Sequence, residues 1–285
     1  MLPYTLHSHS LPLAVMPRVA AVQMVSTPDV DENLESAAGL LQQAADQGAE
    51  FALLPEFFAI IGREDTDKLA HQEPYGEGPL QSFLSGRARE HGLWLMGGTI
   101  PLQSGDPNRV YNSCLLYNPR GECVARYDKI HLFDVSIEGE QEESYSESRT
   151  MTPGAEVVVA GTPLGNIGMS VCYDLRFPEL YRSMADQNVD IITVPSAFTE
   201  TTGRKHWDIL LRSRAVENLS FVIAAAQGGQ NNETRATWGH SMIIDPWGDI
   251  LGELDKGSGV VCADIDLERA RTLRQSFPAL QHRRL

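Results

Sequence analysis

From Arg18 onward the chain alternates short apolar runs with segments whose apolar positions recur every three or four residues. Apolar runs bounded by Gly, Pro, Asn or Asp read as strands, and a 3.6-residue period reads as helix. "VAAVQM" (19–24) predicts a strand, and residues 30–50 predict a helix with Leu34, Ala37, Ala38, Leu41 and Ala45 on one face. "FALLPE" (51–56) is a short strand ended by proline, "LQSFLSGRAREHG" a helix, and "LWLMGGTI" (93–100) one strand. Residues 110–130 predict two strands about the turn Asn118-Pro119-Arg120-Gly121, and "EVVVAGTPLGNIGMSVC" (156–172) a second pair about a Gly/Pro turn. There follow a helix from Pro178, strand 189–197, a long helix 206–219 opened by His206 and Trp207, strand 220–227, a strand pair over 239–254, strand 259–266 and a helix from Leu267.

This mixture of hairpins and helical crossovers implies an α/β layered sandwich rather than a purely parallel sheet. No repeat, low-complexity segment or linker interrupts it, so one domain is expected over residues 17–285. Residues 138–147 carry five glutamates and no large aliphatic side chain, which predicts an exposed loop. Residues 1–16 read as a disordered extension, with Met16 an alternative initiator.

Composition narrows the function classes. The formal charge of −15 leaves no basic stripe for nucleic acid or an anionic membrane, and no apolar run approaches the roughly 18 residues that span a bilayer. The four cysteines, Cys114, Cys123, Cys172 and Cys262, contain no C-x-x-C pair, so a reducing cytoplasm is the expected setting. Cys114 and Cys123 flank the Asn118–Gly121 turn; they either face each other across two strands or are ordinary small core residues.

Three polar residues close strand-like runs: Glu56, Lys129 and Cys172. Ligand sites of α/β sheets gather beyond strand ends, so the three can converge. A carboxylate base, an ammonium and a thiol are the parts needed for nucleophilic attack on a carbonyl. A nearby lysine also favours thiolate over thiol. On a sharp strand-to-helix turn after Cys172, the backbone N–H of Tyr173 would be a second oxyanion donor. His131, two residues after Lys129, is set aside as a triad member. The Gly-rich "GTPLGNIG" opens no helix and matches no nucleotide-binding pattern, position 178 is Pro where a cysteine phosphatase needs Arg, and no H-E-x-x-H signals zinc.

"LLPEFF", "RYDKIHLFD" and "GMSVCYDLRFPELYR" resemble, in order, the three catalytic motifs of the nitrilase or carbon–nitrogen hydrolase superfamily. The resemblance implies a four-layer αββα sandwich, paired into homodimers or larger even assemblies. It also implies hydrolysis of a non-peptide C–N bond with no metal or organic cofactor. Carried over, Glu56 is the general base, Lys129 the oxyanion stabiliser and Cys172 the acylated nucleophile. A supporting glutamate that orients the lysine matches Glu147, with Glu138 and Glu143 as competitors. "AAAQGGQNNETRATWGHSMIIDPWG" followed by "FPALQHRR" resembles the deaminated glutathione amidase branch, which releases 2-oxoglutarate and cysteinylglycine. Omega-amidases and other small aliphatic amidases or carbamoylases are the neighbouring readings, and an inactive binding relative is the reading from another class. A small-molecule amide bearing carboxylates calls for a cationic clamp, for which Arg176 and Arg235 are candidates. Arg176 could instead pair with Asp174 or Glu179, and Arg235 could be an ordinary surface residue. "RSRAVEN" (212–218) is expected to pack or to form a subunit interface.

Overall fold

A computed structural model describes residues 16–137 and 143–284. The expected disordered extension therefore lies, up to residue 15, outside the described residues, as do residues 138–142 with Glu138.

The first half builds one mixed sheet. Its strands are β1 (Arg18–Gln23), β2 (Phe51–Leu53), β3 (Trp94–Met96), β4 (Ile100–Gln103), β5 (Val110–Tyr117) and β6 (Cys123–Asp128). A hairpin of β7 (Asp134–Ile137) and β8 (Glu143–Ser146) follows, and then the second sheet, with β9 (Val159–Thr162), β10 (Gly165–Met169), β11 (Ile191–Ser196), β12 (Phe221–Ala226), β13 (Met242–Ile244) and β14 (Ile250–Glu253). The last strand, β15 (Gly259–Asp264), returns to pair antiparallel with β1, giving the order β15-β1-β2-β3-β5-β4 with β6 on β5. The second sheet runs β14-β13-β12-β11-β10-β9, and β10, β11 and β12 are mutually parallel.

Both faces of the first sheet are covered, which is why its strands read as unbroken apolar runs. In β1, Ala20 and Val22 meet the helices α1 (Val30–Asp46) and α2 (Pro79–His91), through Ala37, Leu41 and Leu84. Val19 and Ala21 point the other way, into a core shared with Ile167, Met169 and Ile192 of the second sheet. That sheet is covered in turn by α3 (Pro178–Ala185) and α4 (Glu200–Asn218), through Tyr181, Met184, Trp207 and Leu211. The layers are α, β, β, α, as expected, and α5 (Leu267–Ser276) follows β15. The sheets are joined where the Met24 N–H donates to the Ala226 carbonyl at 3.3 Å and the Gly228 N–H to the Met24 carbonyl at 2.8 Å.

Several local expectations are corrected. The buried stripe of α1 is Asn33, Ala37, Leu40, Leu41 and Ala44, with Leu34, Ala38 and Ala45 only half-buried. Asn33 enters it because its amide bonds the Thr27 and Ala59 carbonyls at 2.8 and 2.9 Å. The run 93–100 breaks into β3 and β4 at Gly98, whose φ of +55° and closeness to the Pro55 carbonyl leave no room for a Cβ. Helix α4 starts six residues before His206, capped by the Thr199 side chain. The expected loop 138–147 is in part the strand β8. Cys114 pairs with Tyr127 and Cys123 with Tyr117, so the two cysteines do not face each other; Cys114 is buried and Cys123 exposed. "RSRAVEN", expected to pack or to form an interface, does the first through Arg214, which is buried and donates to the Leu175 carbonyl at 2.7 and 3.2 Å, while Val216 is exposed.

Candidate active site

The three strand ends converge. Glu56 follows β2, Lys129 follows β6, and both are buried. Lys129 Nζ donates to Glu56 Oε1 at 2.9 Å and to Glu147 Oε1 and Oε2 at 3.0 and 2.8 Å. Glu147 is thus the carboxylate beside the lysine; Glu143 lies on β8 and Glu138 outside the described residues. Glu56 is also held by Asn112 Nδ2, which donates to Oε1 at 2.9 Å, and by the Ala197 N–H, which donates to Oε2 at 3.0 Å. A carboxylate held on both oxygens has one orientation, toward the cavity it lines with Cys172.

Cys172 opens a 3₁₀ turn, Cys172–Arg176, three residues beyond the end of β10. Its φ of +49° is left-handed, a strain of about 1–3 kcal/mol for a residue with a side chain. Asp174 holds the turn. Buried completely, it accepts from the Val171 N–H at 2.8 Å and Tyr127 Oη at 2.7 Å, and from the His131 N–H at 3.0 Å. His131 Nδ1 meets the same carboxylate at 2.7 Å while its ring stacks on Phe177. Asp174 therefore ties the loop after Lys129 to the turn carrying Cys172. The Tyr173 N–H precedes the first bond of that turn, Asp174 N–H to the Val171 carbonyl at 3.0 Å.

Electrostatics revise one expectation. Burial and the Glu56 carboxylate push the Cys172 thiol well above its ordinary pKa, outweighing Lys129, so the resting group is a thiol rather than a thiolate. Burial works against the Lys129 charge, yet Glu147 and Glu56 hold its pKa well above the usual lysine value. Lys129 is thus held as the ammonium.

The cavity is lined by Glu56, Glu147, Cys172, Tyr173, Arg176 and Arg235, together with Phe198 and Thr199. Arg176 forms neither of the ion pairs considered for it, since Asp174 is committed below the turn. It lies against His206 Nδ1 at 3.3 Å and over the rings of Tyr173 and Phe198. Arg235 lies over the Phe57 ring rather than on the open surface. Asn112 and Asp174 were not legible as site residues. A polar residue inside the apolar run 110–117 was the available signal for Asn112, but its neighbour Glu56 is set by the strand order.

A base held by two amide donors, a permanent ammonium and a strained cysteine around one cavity are equipment for attack on a carbonyl carbon. The sequence family model for carbon-nitrogen hydrolases matches residues 18–275. The chain belongs to the carbon-nitrogen hydrolase family. It is accordingly an enzyme of that family, an amidase of the nitrilase superfamily. It is 44% identical to a human protein named deaminated glutathione amidase, over 94% of this chain and 83% of the relative. Its fold superposes with a TM-score of 0.84 on a Saccharomyces cerevisiae member of branch 10 of the nitrilase superfamily, 31% identical, covering 94% of this chain and 97% of that one. A mutant amidase from a Nesterenkonia species, carrying the acetamide moiety of fluoroacetamide on its active-site cysteine, superposes with a TM-score of 0.78. It is 26% identical, with 96% of this chain and 95% of that one covered. Among the described residues, no helix of this carbon-nitrogen hydrolase is long and apolar enough to cross a membrane.

Proposed function

We propose that the protein hydrolyses deaminated glutathione to 2-oxoglutarate and cysteinylglycine through a thioester on Cys172. The observation that carries this reading is the convergence of Glu56, Lys129 and Cys172 in a cavity that also holds two arginines. The human relative's name supports the substrate, and the adduct in the Nesterenkonia amidase supports a cysteine as the group attacked through.

In this mechanism Cys172 Sγ attacks the amide carbon while Glu56 takes the thiol proton. The carbonyl oxygen becomes an oxyanion between the Lys129 ammonium and the Tyr173 N–H. Glu56 hands its proton to the departing nitrogen, the C–N bond breaks, and cysteinylglycine leaves. Water then attacks the thioester, Glu56 taking its proton, and the tetrahedral intermediate expels the thiolate, which recovers that proton. Glu147 holds Lys129 charged and in place. Arg176 binds the acyl-side carboxylate, the role left to it once the pairing with Asp174 or Glu179 is removed.

Steady-state turnover of deaminated glutathione, 2-oxoglutaramate, a carbamoyl amino acid and a nitrile tests the assignment. Deaminated glutathione should have the highest kcat/KM. Turnover no faster than that of simple amides would assign the chain to another amidase branch, and no turnover of any of them would favour an inactive binding relative.

A further inference from the structure

Phe133, Glu147 and Arg235 separate the Cys172 cavity from a second hollow, which they line together with Phe57, Lys68 and Tyr145. Two cations of this hollow share one aromatic ring. Lys68 Nζ lies 5.9 Å from the Phe57 centroid and Arg235 Cζ lies 5.7 Å from it. Glu64, Asp65 and Glu147 also line the hollow, but neither cation is held in a close ion pair: Lys68 donates to the Thr150 hydroxyl at 3.2 Å, and Arg235 Nε is buried with no hydrogen-bond partner. Among the described residues no carboxylate comes within the 4.0 Å of an ion pair with either. Burial pushes the Lys68 pKa below the usual lysine value; Arg235 and Lys129 push the same way, against Asp65 and Glu147. Two like charges held together and partly out of water, one with an idle buried donor, are unfavourable alone and favourable around an anion.

We propose that Lys68 and Arg235 form a second anion subsite that binds a carboxylate on the amine half of the substrate. This rests on the proposed amidase reading. The half of the substrate it serves follows from the order of product release. The acyl half stays on Cys172 as the thioester, so the amine half must lie where it can leave first. The second hollow excludes Cys172 and continues, past Arg235 and Tyr145, into a broader cleft lined by Arg149, Asn232 and Thr234. The preferred substrate class is thus an amide with carboxylates on both halves, Arg176 engaging one and the Lys68–Arg235 pair the other. A primary amide, whose leaving group is ammonia, leaves the pair empty.

The test compares kcat/KM for deaminated glutathione, for the same molecule with its terminal carboxylate converted to an amide, and for 2-oxoglutaramate, which has the same acyl half. In the unaltered protein, amidation of the carboxylate should cost roughly 10-fold to 100-fold, the size of a lost charge-assisted contact. Lys68→Gln and Arg235→Gln should each lower the ratio of deaminated glutathione to 2-oxoglutaramate turnover by a similar factor, and Lys68→Arg should restore most of it. On the amidated substrate the two variants should cause little further loss of this ratio. A merely structural role would lower turnover of all three substrates together and leave the ratio unchanged, which would overturn the subsite while the amidase assignment stood. If the unaltered protein prefers another amide, the substrate assignment fails separately. The subsite is then supported if Lys68→Gln selectively slows amides with an anionic amine half, and overturned if the preferred amine half is uncharged.

Discussion

The cysteine, lysine and glutamates of the site act through the charges they impose on one another. Lys129 is surrounded by acceptors, Cys172 is kept protonated by burial and the Glu56 carboxylate, and Glu147 is held below the usual carboxylate range by Lys129 although burial opposes that. A carboxyl with a depressed folded pKa contributes stability above its unfolded value, here near 4.5, and loses it as pH falls through the folded value. The Tm difference between the unaltered protein and Glu147→Gln should therefore be largest above about pH 4.5 and shrink below it. A difference constant from neutral pH down to pH 3 would show that Glu147 contributes packing rather than charge. At this scale the convergence of Glu56, Lys129 and Cys172 was legible because each ends a strand-like run. The choice of Glu147 among three glutamates was not, because it depends on the Glu147–Arg149 turn bringing the carboxylate back to Lys129 and the Phe133 N–H. Asp174 read as a neighbour of Arg176, whereas its partners Tyr127 and His131 lie more than 40 residues away in sequence.

At the scale of elements, burial on both faces made β1, β2, β11 and β12 stand out as apolar runs. Elements that turn polar faces outward were harder to read. The start of α4, "ETTGRK", has no apolar period, and β8 is short and polar. The phase of α1 was misread because alanines on both flanks blur the stripe, while Asn33, buried through hydrogen bonds, carries no hydrophobic signal. Leu41, fully buried between α1 and the first sheet, is a direct test of that packing. Leu41→Ala should lower unfolding free energy by about 2–5 kcal/mol, measured by urea denaturation, with kcat per folded molecule little changed. A loss below about 0.5 kcal/mol, the size of a surface substitution, would contradict the α1 packing described.

For the whole molecule, the four-layer architecture followed from the strand and helix inventory together with the family resemblance, while sheet order did not, since the return of β15 to β1 is encoded in no local pattern. The fold leaves Ile209 and Val216 of α4 exposed, with Trp247 and Phe277 in ring contact nearby in sequence to β13 and α5. The family resemblance implies an even homo-oligomer, and this apolar surface is a candidate for its interface. Light scattering at micromolar concentration should give an even number of subunits, and Ile209→Asp with Val216→Asp should lower it. A monodisperse monomer for the unaltered protein would contradict the assembly.

The central claim is that the reaction passes through a thioester on Cys172. Acid quenching during turnover of deaminated glutathione, followed by intact-mass measurement and peptide mapping, tests it most directly. The protein should gain the mass of one 2-oxoglutaryl group, located on Cys172, and Cys172→Ala should retain its fold, gain no such mass and release no product. Acylation or undiminished turnover in the Cys172→Ala protein would contradict the account.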